Sequence, residues 1–482
     1  MSSTLQPSSG GLDVPRVLLL PSAGMGHLIP FVRLATALTA RRIDFTVLAA
    51  CSTVSAAESR LLSSLPSDLL LDFPIAPLDA SLFPPSSDPF LLRMEGLRRS
   101  AHLLQPFLSA SFSSPISALI VDISAASSFI PAAAAANIPC FVLFTSSAAM
   151  LALCSASPFL SLSSSEIDIA GVLKIPNYCL PPPLHDPNHL FTTQFLENGR
   201  ALGLASGILV NTFPSLEPEV LLALNSGKVV AGLPPVFAVG PFPSARKMAT
   251  SLSPAIQWLD KQQERSVMYV SFGSRTMMSS AQMRELGAGL EMSGCKFLWV
   301  VKSTKVDRDE NGDIDEFVGE GYVRRVEGRG LVVKEWVEQE VVLSHRAVAG
   351  FLSHCGWNSV TEAAAAGVRV LAWPRMGDQR VNAALVARNG LGLWPSEWVW
   401  EAEEGLVVGE EISKKVREVI EDKRLVETVV TVAAEAAAAI ADDGSAQKSF
   451  ALFEDKIMMS PWESTSTAMS ANICQHYLII QL

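Results

Sequence analysis

Two groups of polar side chains interrupt an otherwise apolar sequence, and each follows a short aliphatic run. The first is His27, in Ala23-Gly24-Met25-Gly26-His27, which comes directly after Val17-Leu18-Leu19-Leu20. The second extends from Trp336 to Gln379 and holds Trp336, Gln339, His345, His354-Cys355-Gly356-Trp357-Asn358-Ser359, Glu362 and Asp378-Gln379. An imidazole presented by a glycine turn can take up a proton. The second group has the chemistry a nucleotide needs: an aromatic face for a base, a carboxylate for a vicinal diol, and N–H and hydroxyl donors for phosphate. Residues 349–353 read as a short buried strand, His354-Cys355-Gly356 as a tight turn, and 357–366 as a helix opened by Asn358 or Ser359. A glycine turn feeding a helix N-terminus aims free N–H groups at an anion, here a pyrophosphate.

Asp122 closes a further apolar run, Ala118-Leu119-Ile120-Val121, and stands alone in a very apolar stretch. A buried carboxylate is costly unless something pairs with it. Adjacent parallel strands bring their carboxyl ends together, which makes His27 the natural partner. Such a pair would fix the imidazole tautomer and stabilise the imidazolium as His27 takes up a proton. Alternatively Asp122 caps a helix beginning at Ile123, and His27 is structural. Gly24 and Gly26 also open a dinucleotide fingerprint. That motif needs a third glycine near Ile29 and an acid closing the second strand, and the second strand ends Ala49-Ala50-Cys51-Ser52, so an oxidoreductase is the weaker reading. Cys355 and Phe351 are assigned to packing and His345 to structure.

The elements that must position these groups are visible in the composition. A chain of 482 residues is long enough for two domains. Hydrophobic residues make up 49 % and the mean hydropathy is +0.30, concentrated in short Val/Leu/Ile/Ala runs. Strands buried on both faces of a parallel sheet read this way. A net charge of −11 argues against nucleic acid as a partner. Seven scattered cysteines, an odd number without CxxC spacing, predict reduced thiols, a cytoplasmic location and no metal framework. The first 11 residues are Ser/Gly-rich, without the basic and apolar regions of a signal peptide. Residues 122–165 carry no charge after Asp122, yet Pro131, Pro139 and Pro158 interrupt them. No apolar run reaches the roughly 20 residues a spanning helix needs, so helix, strand, helix is expected there, without stable membrane insertion.

Along the first half, strands at 16–20, 45–50, 118–121, 140–144 and 207–210 alternate with helical stretches at 29–40 and 90–111. Residues 155–189, rich in Pro and Ser, predict an irregular excursion over a cleft. The stretch 242–253 looks like an interdomain linker. The alternation then restarts, with helices at 256–263 and 282–293, strands at 267–271, 297–301, 331–333 and 370–372, and a helix from Gln379; a charged loop occupies 305–315. The class is α/β, built from two βαβ halves.

The block from Trp336 to its terminal Asp378-Gln379 resembles the nucleotide-sugar box of plant family-1 UDP-dependent glycosyltransferases. The two halves resemble the GT-B fold of that family, two Rossmann-like domains facing across a cleft. The resemblance covers roughly residues 15–452 and implies an N-terminal acceptor-binding domain at 1–242, a linker at 243–254, a C-terminal UDP-sugar-binding domain at 255–452 and an atypical, loosely packed tail at 453–482. It places Trp336 on uracil, and Gln339 and Glu362 on ribose or base polar atoms. His354, Trp357, Asn358 and Ser359 would meet the diphosphate and nearby sugar, with Ser274, in Ser271-Phe272-Gly273-Ser274, as a second phosphate-side contact. Asp378 and Gln379 would hold glucose hydroxyls, and His27 and Asp122 match the family's catalytic dyad. No metal is required by this scheme, and Asp307-x-Asp309 and Asp442-Asp443 fall in polar, distal segments. Phe90, Arg93, Phe144, Thr145, Met150 and Phe195 are the acceptor-pocket candidates, though each could equally be core. The chain departs from the family pattern at Glu338 and Arg369, where proline is usual.

A finer resemblance lies in Pro21-Ser22-Ala23-Gly24-Met25-Gly26-His27-Leu28-Ile29-Pro30, Asp88-Pro89-Phe90-Leu91-Leu92-Arg93, Asp122-Ile123 and Trp336-Val337-Glu338-Gln339-Glu340. These are similar to plant C-glucosyltransferases of the flavonoid pathway, which act on 2-hydroxyflavanones, dihydrochalcones and related polyhydroxyphenyl ketones. The resemblance implies inverting transfer from UDP-glucose to a small aromatic acceptor by a monomer. Transfer to oxygen of flavonoids or other small phenols is the alternative within the family; a non-catalytic UDP-sugar-binding protein on the same fold is the alternative outside it.

Overall fold

Val17, Leu18, Leu19 and Leu20 have no exposed surface, and successive residues enter opposite cores, Val17 and Leu19 on one face of a sheet and Leu18 and Leu20 on the other. Both faces of the sheet are therefore covered, as the unbroken aliphatic runs require. The structure is a computed structural model and describes residues 15–50, 55–84, 87–242, 253–276, 278–302, 314–335, 337–399 and 404–458. Its first sheet contains β1 (Arg16–Leu20), β2 (Asp44–Ala49), β3 (Leu70–Asp72), β4 (Ala118–Asp122) and β5 (Cys140–Phe144). A hairpin, β6 (Glu166–Ile169) and β7 (Leu173–Pro176), interrupts the series before β8 (Gly207–Val210) and β9 (Val236–Ala238) complete it. The strand order is β3-β2-β1-β4-β5-β8-β9, and every pairing is parallel.

The second sheet contains β10 (Val267–Ser271), β11 (Lys296–Val300), β12 (Gly330–Val333), β13 (Val348–Ser353), β14 (Arg369–Ala372) and β15 (Gly392–Leu393). Its order is β12-β11-β10-β13-β14-β15, again all parallel. In each sheet the order reverses beside the first strand, between β1 and β4 and between β10 and β13. Crevices at such reversal points are where open α/β sheets bind ligands. Both reversal points open toward one shared cleft. No helix among the described residues is long and apolar enough to cross a membrane.

Three elements differ from their sequence expectation. The first helix runs Met25–Ala40, not from residue 29, with Pro30 inside it. Proline cannot donate to the carbonyl four residues back, and that carbonyl, of Gly26, instead accepts Nδ2 of Asn358 from the other half at 3.2 Å. The expected single helix at 90–111 is two, Pro89–Arg99 and Leu104–Ser111, joined by a 3-10 turn. Pro106 sits in the first turn of the second, where its missing N–H leaves nothing unpaired. The excursion at 155–189 carries the β6–β7 hairpin. Arg369, in place of proline, ties β14 to its surroundings by bonding Ala349 O at 2.9 Å and Ile420 O at 2.8 Å.

The last helix, Ser445–Met458, crosses back to the first half and buries Phe450, Phe453 and Ile457 in its core. Residues 453–458 thus continue packed helix where loose packing is expected. The remainder of the tail, the linker at 243–252, most of the charged loop at 305–315, and Trp336 lie outside the described residues. Phe453 has no exposed surface and meets Phe141 and Phe237 edge-on at 5.0 and 6.3 Å. Phe453→Ala is expected to destabilise the protein by about 3–5 kcal/mol, read from denaturant unfolding; a loss below about 1 kcal/mol would contradict this packing role.

Candidate active site

Asp122 is the last residue of β4 and its side chain is 0 % exposed. It makes both of the contacts weighed from sequence, the pairing with His27 and the cap. Oδ1 accepts the Ser124 backbone N–H at 2.8 Å, capping the 3-10 turn Ile123–Ala125, and also the Ser22 hydroxyl at 3.0 Å. Oδ2 lies 3.0 Å from His27 Nδ1. An ionised carboxylate makes Nδ1 the donor, so Nε2 carries the lone pair. His27 is 25 % exposed, on the first turn of its helix, and lines the cleft. Burial would lower its pKa, but the Asp122 charge and hydrogen bond overcome this and hold it above the ordinary value. The same pairing, with the Ser124 bonds, keeps the Asp122 carboxyl below its ordinary range despite burial.

The turn that aims His27 needs glycine at position 24. Gly24 has φ +100°, and a Cβ there would stand 2.5 Å from the Phe90 ring. The buried Glu58 carboxylate accepts the Gly24 N–H and, at 2.6 Å, the Ser55 N–H, tying the turn to the helix Ala56–Leu62.

Across the cleft, loops after β10 and β13 build the other wall. Gly273 and Gly356 flank the His354 imidazole so closely that a Cβ on either would fall 2.6 Å from Nε2. Burial pushes the His354 pKa down to about 4, only partly offset by the Ser271 backbone, so the ring is neutral at pH 7. The helix Trp357–Ala366 starts as expected, but its N-cap is Gly356, with no side-chain cap, and neither Asn358 nor Ser359 fills that role. Its first N–H groups therefore remain available to an anion. Asn358 instead makes the bond to Gly26. The Trp357 indole is buried and donates to Asn211 O at 2.9 Å, so its side chain joins the two halves.

Further along that wall, Gln339 Nε2 donates to Ser359 Oγ at 2.9 Å and Glu362 Oε2 at 2.7 Å. Glu362 Oε1 is held at 2.6 Å by Arg33 of the first half. Asp378 accepts from the Ser146 hydroxyl and from Asn382 Nδ2 at 2.9 Å; burial raises its pKa and these bonds oppose the rise. Gln379 commits its amide oxygen to the N–H groups of Arg375 and Met376, at 2.8 and 2.9 Å, leaving its NH₂ as the donor it can offer. Ser274 lines the cleft between these groups and His27.

One cavity of about 820 Å³ contains both walls. Phe90, Phe144, Met150 and Phe195 line its first-half side, and Phe195 stacks on Phe191 at 5.7 Å. The Arg93 guanidinium pairs with Glu58 at 3.1 Å and lies 5.9 Å from the centroid of the cleft-lining Phe90 ring. Thr145 lies beside the dyad, 3.0 Å from His27 Nδ1 and 3.5 Å from Asp122 Oδ2.

Apart from Thr145, an expected acceptor-pocket residue, the following groups were not expected from sequence. Thr145-Ser146-Ser147 forms a strap whose three hydroxyls reach the dyad, Asp378 and, at 2.9 Å, Asn382. Fully buried Glu217 anchors the strap's end by accepting the N–H groups of Ala148 and Ala149 at 3.0 and 2.9 Å. Arg275 lies 3.6 Å over the Phe90 ring and 2.8 Å from Asp88. Arg33 alone carried a sequence signal, since it is a charge within Phe31-Val32-Arg33-Leu34-Ala35, the same anomaly that exposes Asp122.

Two parallel α/β halves that meet over one cleft, each presenting its strand-order reversal to the other, are the GT-B class of glycosyltransferase. Known proteins place the chain within that class. The family profile described as UDP-glucoronosyl and UDP-glucosyl transferase matches residues 246–434. UDP-glycosyltransferase CGT of Oryza sativa subsp. japonica is 53 % identical over 92 % of this chain and 96 % of its own length. UDP-glycosyltransferase 708A6 of Zea mays is 50 % identical over 91 % and 95 %. The crystal structure of LpCGTa in complex with UDP matches with a TM-score of 0.82 and 47 % identity, covering 93 % of this chain and 100 % of that one. The chain belongs to the UDP-glycosyltransferase family and is an enzyme of that family.

The dyad makes a pH prediction. With His27 as the base, only the neutral imidazole takes a proton, and kcat/KM is expected to rise as pH climbs through its pKa, which Asp122 holds above the ordinary value. In Asp122→Asn the burial effect is left without its main opponent, and the acidic limb should move to lower pH. The rate should also fall by about 10²- to 10⁴-fold as the tautomer is lost. An acidic limb that stays in place in the pH–rate profile would contradict the pairing.

Proposed function

We propose that this enzyme transfers glucose from UDP-glucose to a ring carbon of a polyhydroxyphenyl ketone, such as a 2-hydroxyflavanone or dihydrochalcone, with inversion at the anomeric carbon. The observation that carries the reading is the His27–Asp122 pair facing a glycine-bounded helix N-terminus within one cavity. The first half binds the acceptor between Phe90, Phe144, Met150 and Phe195, and the second binds the donor. The donor domain, expected over residues 255–452, ends at residue 444 in this division, with the last helix, Ser445–Met458, returned to the first domain.

His27 Nε2 takes the proton of a phenolic hydroxyl and becomes imidazolium, stabilised by Asp122. The phenolate carries electron density on the ring carbons ortho and para to its oxygen. One of these attacks the anomeric carbon, a carbon–carbon bond forms, and the bond to UDP breaks with its electron pair leaving on the diphosphate. Loss of the ring proton and return of a proton to oxygen restore the aromatic ring. The N–H groups opening the Trp357 helix, with Ser274 and His354, receive the diphosphate, while Asp378 and Gln379 hold glucose hydroxyls. This scheme calls for no metal ion, for a monomer, and for a cytoplasmic setting where UDP-glucose is available.

Attack by carbon or oxygen differs only in how the acceptor sits, by roughly an ångström. Similarity to the rice CGT protein and to LpCGTa supports carbon, as do the motifs around His27, Asp88 and Asp122. Incubation with UDP-glucose and phloretin in the presence of EDTA should release UDP and yield a glucoside that survives acid hydrolysis. Recovery of free phloretin after hydrolysis would place the sugar on oxygen, and absence of UDP release would favour a non-catalytic binding protein. His27→Ala is expected to lower kcat by about 10²- to 10⁴-fold without changing UDP affinity in calorimetry.

A further inference from the structure

The second half supplies almost every polar group on the donor wall, with one exception that lies deep in it. Arg33 belongs to the helix Met25–Ala40 of the first half, is 6 % exposed and lines the cavity. Its Nη2 reaches two carboxylates of the second half, Glu362 at 2.6 Å and Glu340 at 3.2 Å. Taking an ion pair out of water is costly. Its placement inside a ligand cavity therefore calls for a reason other than holding the two domains together.

The nucleotide's own order supplies one. A diphosphate at the start of the Trp357 helix points the rest of a nucleoside diphosphate along the helix face that carries Ser359 and Glu362, three residues apart. Glu362 lies about 7 Å along the axis from Trp357, where the pentose that follows the diphosphate would come. A carboxylate there can accept both hydroxyls of a vicinal diol only if its plane is fixed. Gln339 fixes one oxygen at 2.7 Å and Arg33 the other at 2.6 Å, and each oxygen retains a second lone pair.

We propose that Arg33 is a donor-positioning residue contributed by the opposite domain: it holds Glu362 in the orientation that reads the ribose diol. The proposal rests on the donor reading of this wall given above. The same helix thereby delivers the catalytic base at one end of the donor and a ribose-orienting cation about 9 Å further along its axis.

Calorimetric titration of UDP and 2′-deoxy-UDP into the wild-type enzyme, Arg33→Lys and Arg33→Met tests this. The quantity read is the ratio of the two affinities, which a general change of charge or fold moves little because both nucleotides carry the same diphosphate. Wild type should prefer UDP. That preference should shrink by about tenfold in both variants, Lys being unable to reproduce the planar fork, while their thermal midpoints show them folded. A preference unchanged from wild type would overturn the role of Arg33, as would a wild type that does not distinguish the two nucleotides. A wild type that binds neither would instead overturn the donor reading itself.

Discussion

A carboxylate wholly removed from water at the end of β4 imposes the arrangement of this site. Asp122 cannot remain charged there without partners, and it has four: a backbone N–H, two hydroxyls and an imidazole. Satisfying it immobilises His27 as a donor through Nδ1, and that in turn leaves Nε2 to accept a proton. The demand spreads outward through Thr145. Its neighbour Ser146 holds Asp378, so one peptide bond separates a hydroxyl beside the His27–Asp122 pair from one bonded to Asp378.

The two halves are not merely juxtaposed. Asn358 bonds the Gly26 carbonyl, Trp357 bonds the Asn211 carbonyl, Ser147 bonds Asn382, Arg275 pairs with Asp88 and Arg33 pairs with Glu362. Phe213 and Leu216, from the chain after β8, are buried in the second half's core. Most of these contacts involve residues within two positions of a cleft-lining group, so the geometry of the interface and of the site are set together. Pro30 shows the economy of it, since the carbonyl it orphans in its own helix is the one that receives the partner domain.

The fold was readable because buried parallel strands leave unbroken aliphatic runs, and all the strands expected between 16 and 372 are present within a residue or two. Short strands such as β3, β9 and β15, of two or three residues, carry no comparable signal. The His27 helix starts four residues before the expected position, with Pro30 inside it, and a bond from the other half compensates for the carbonyl that proline leaves free. At the site, glycine turns and isolated charges in apolar surroundings were visible, which is why His27, Asp122 and the residues around His354 could be named. Thr145 was placed only among the acceptor-pocket candidates, and Ser146 and Ser147 were assigned no role, because serine is common along that stretch and only tertiary contact separates a strap hydroxyl from a solvated one. The pairing of Arg93 with Glu58, 35 residues away, is of the same kind, since no local pattern connects the two.

The returning C-terminal helix has a mechanical consequence. The chain passes between the halves twice, once between Phe242 and Ser253 and again between Ile440 and Ser445, and the second passage is pinned by Phe453 among the aromatic rings of the first core. A body tethered at a single point can swivel and twist, whereas one tethered at two retains a single easy rotation, about the line joining the tethers. A hinge about that line would return the helix of His27 and Arg33 to the same register against the loops after β10 and β13.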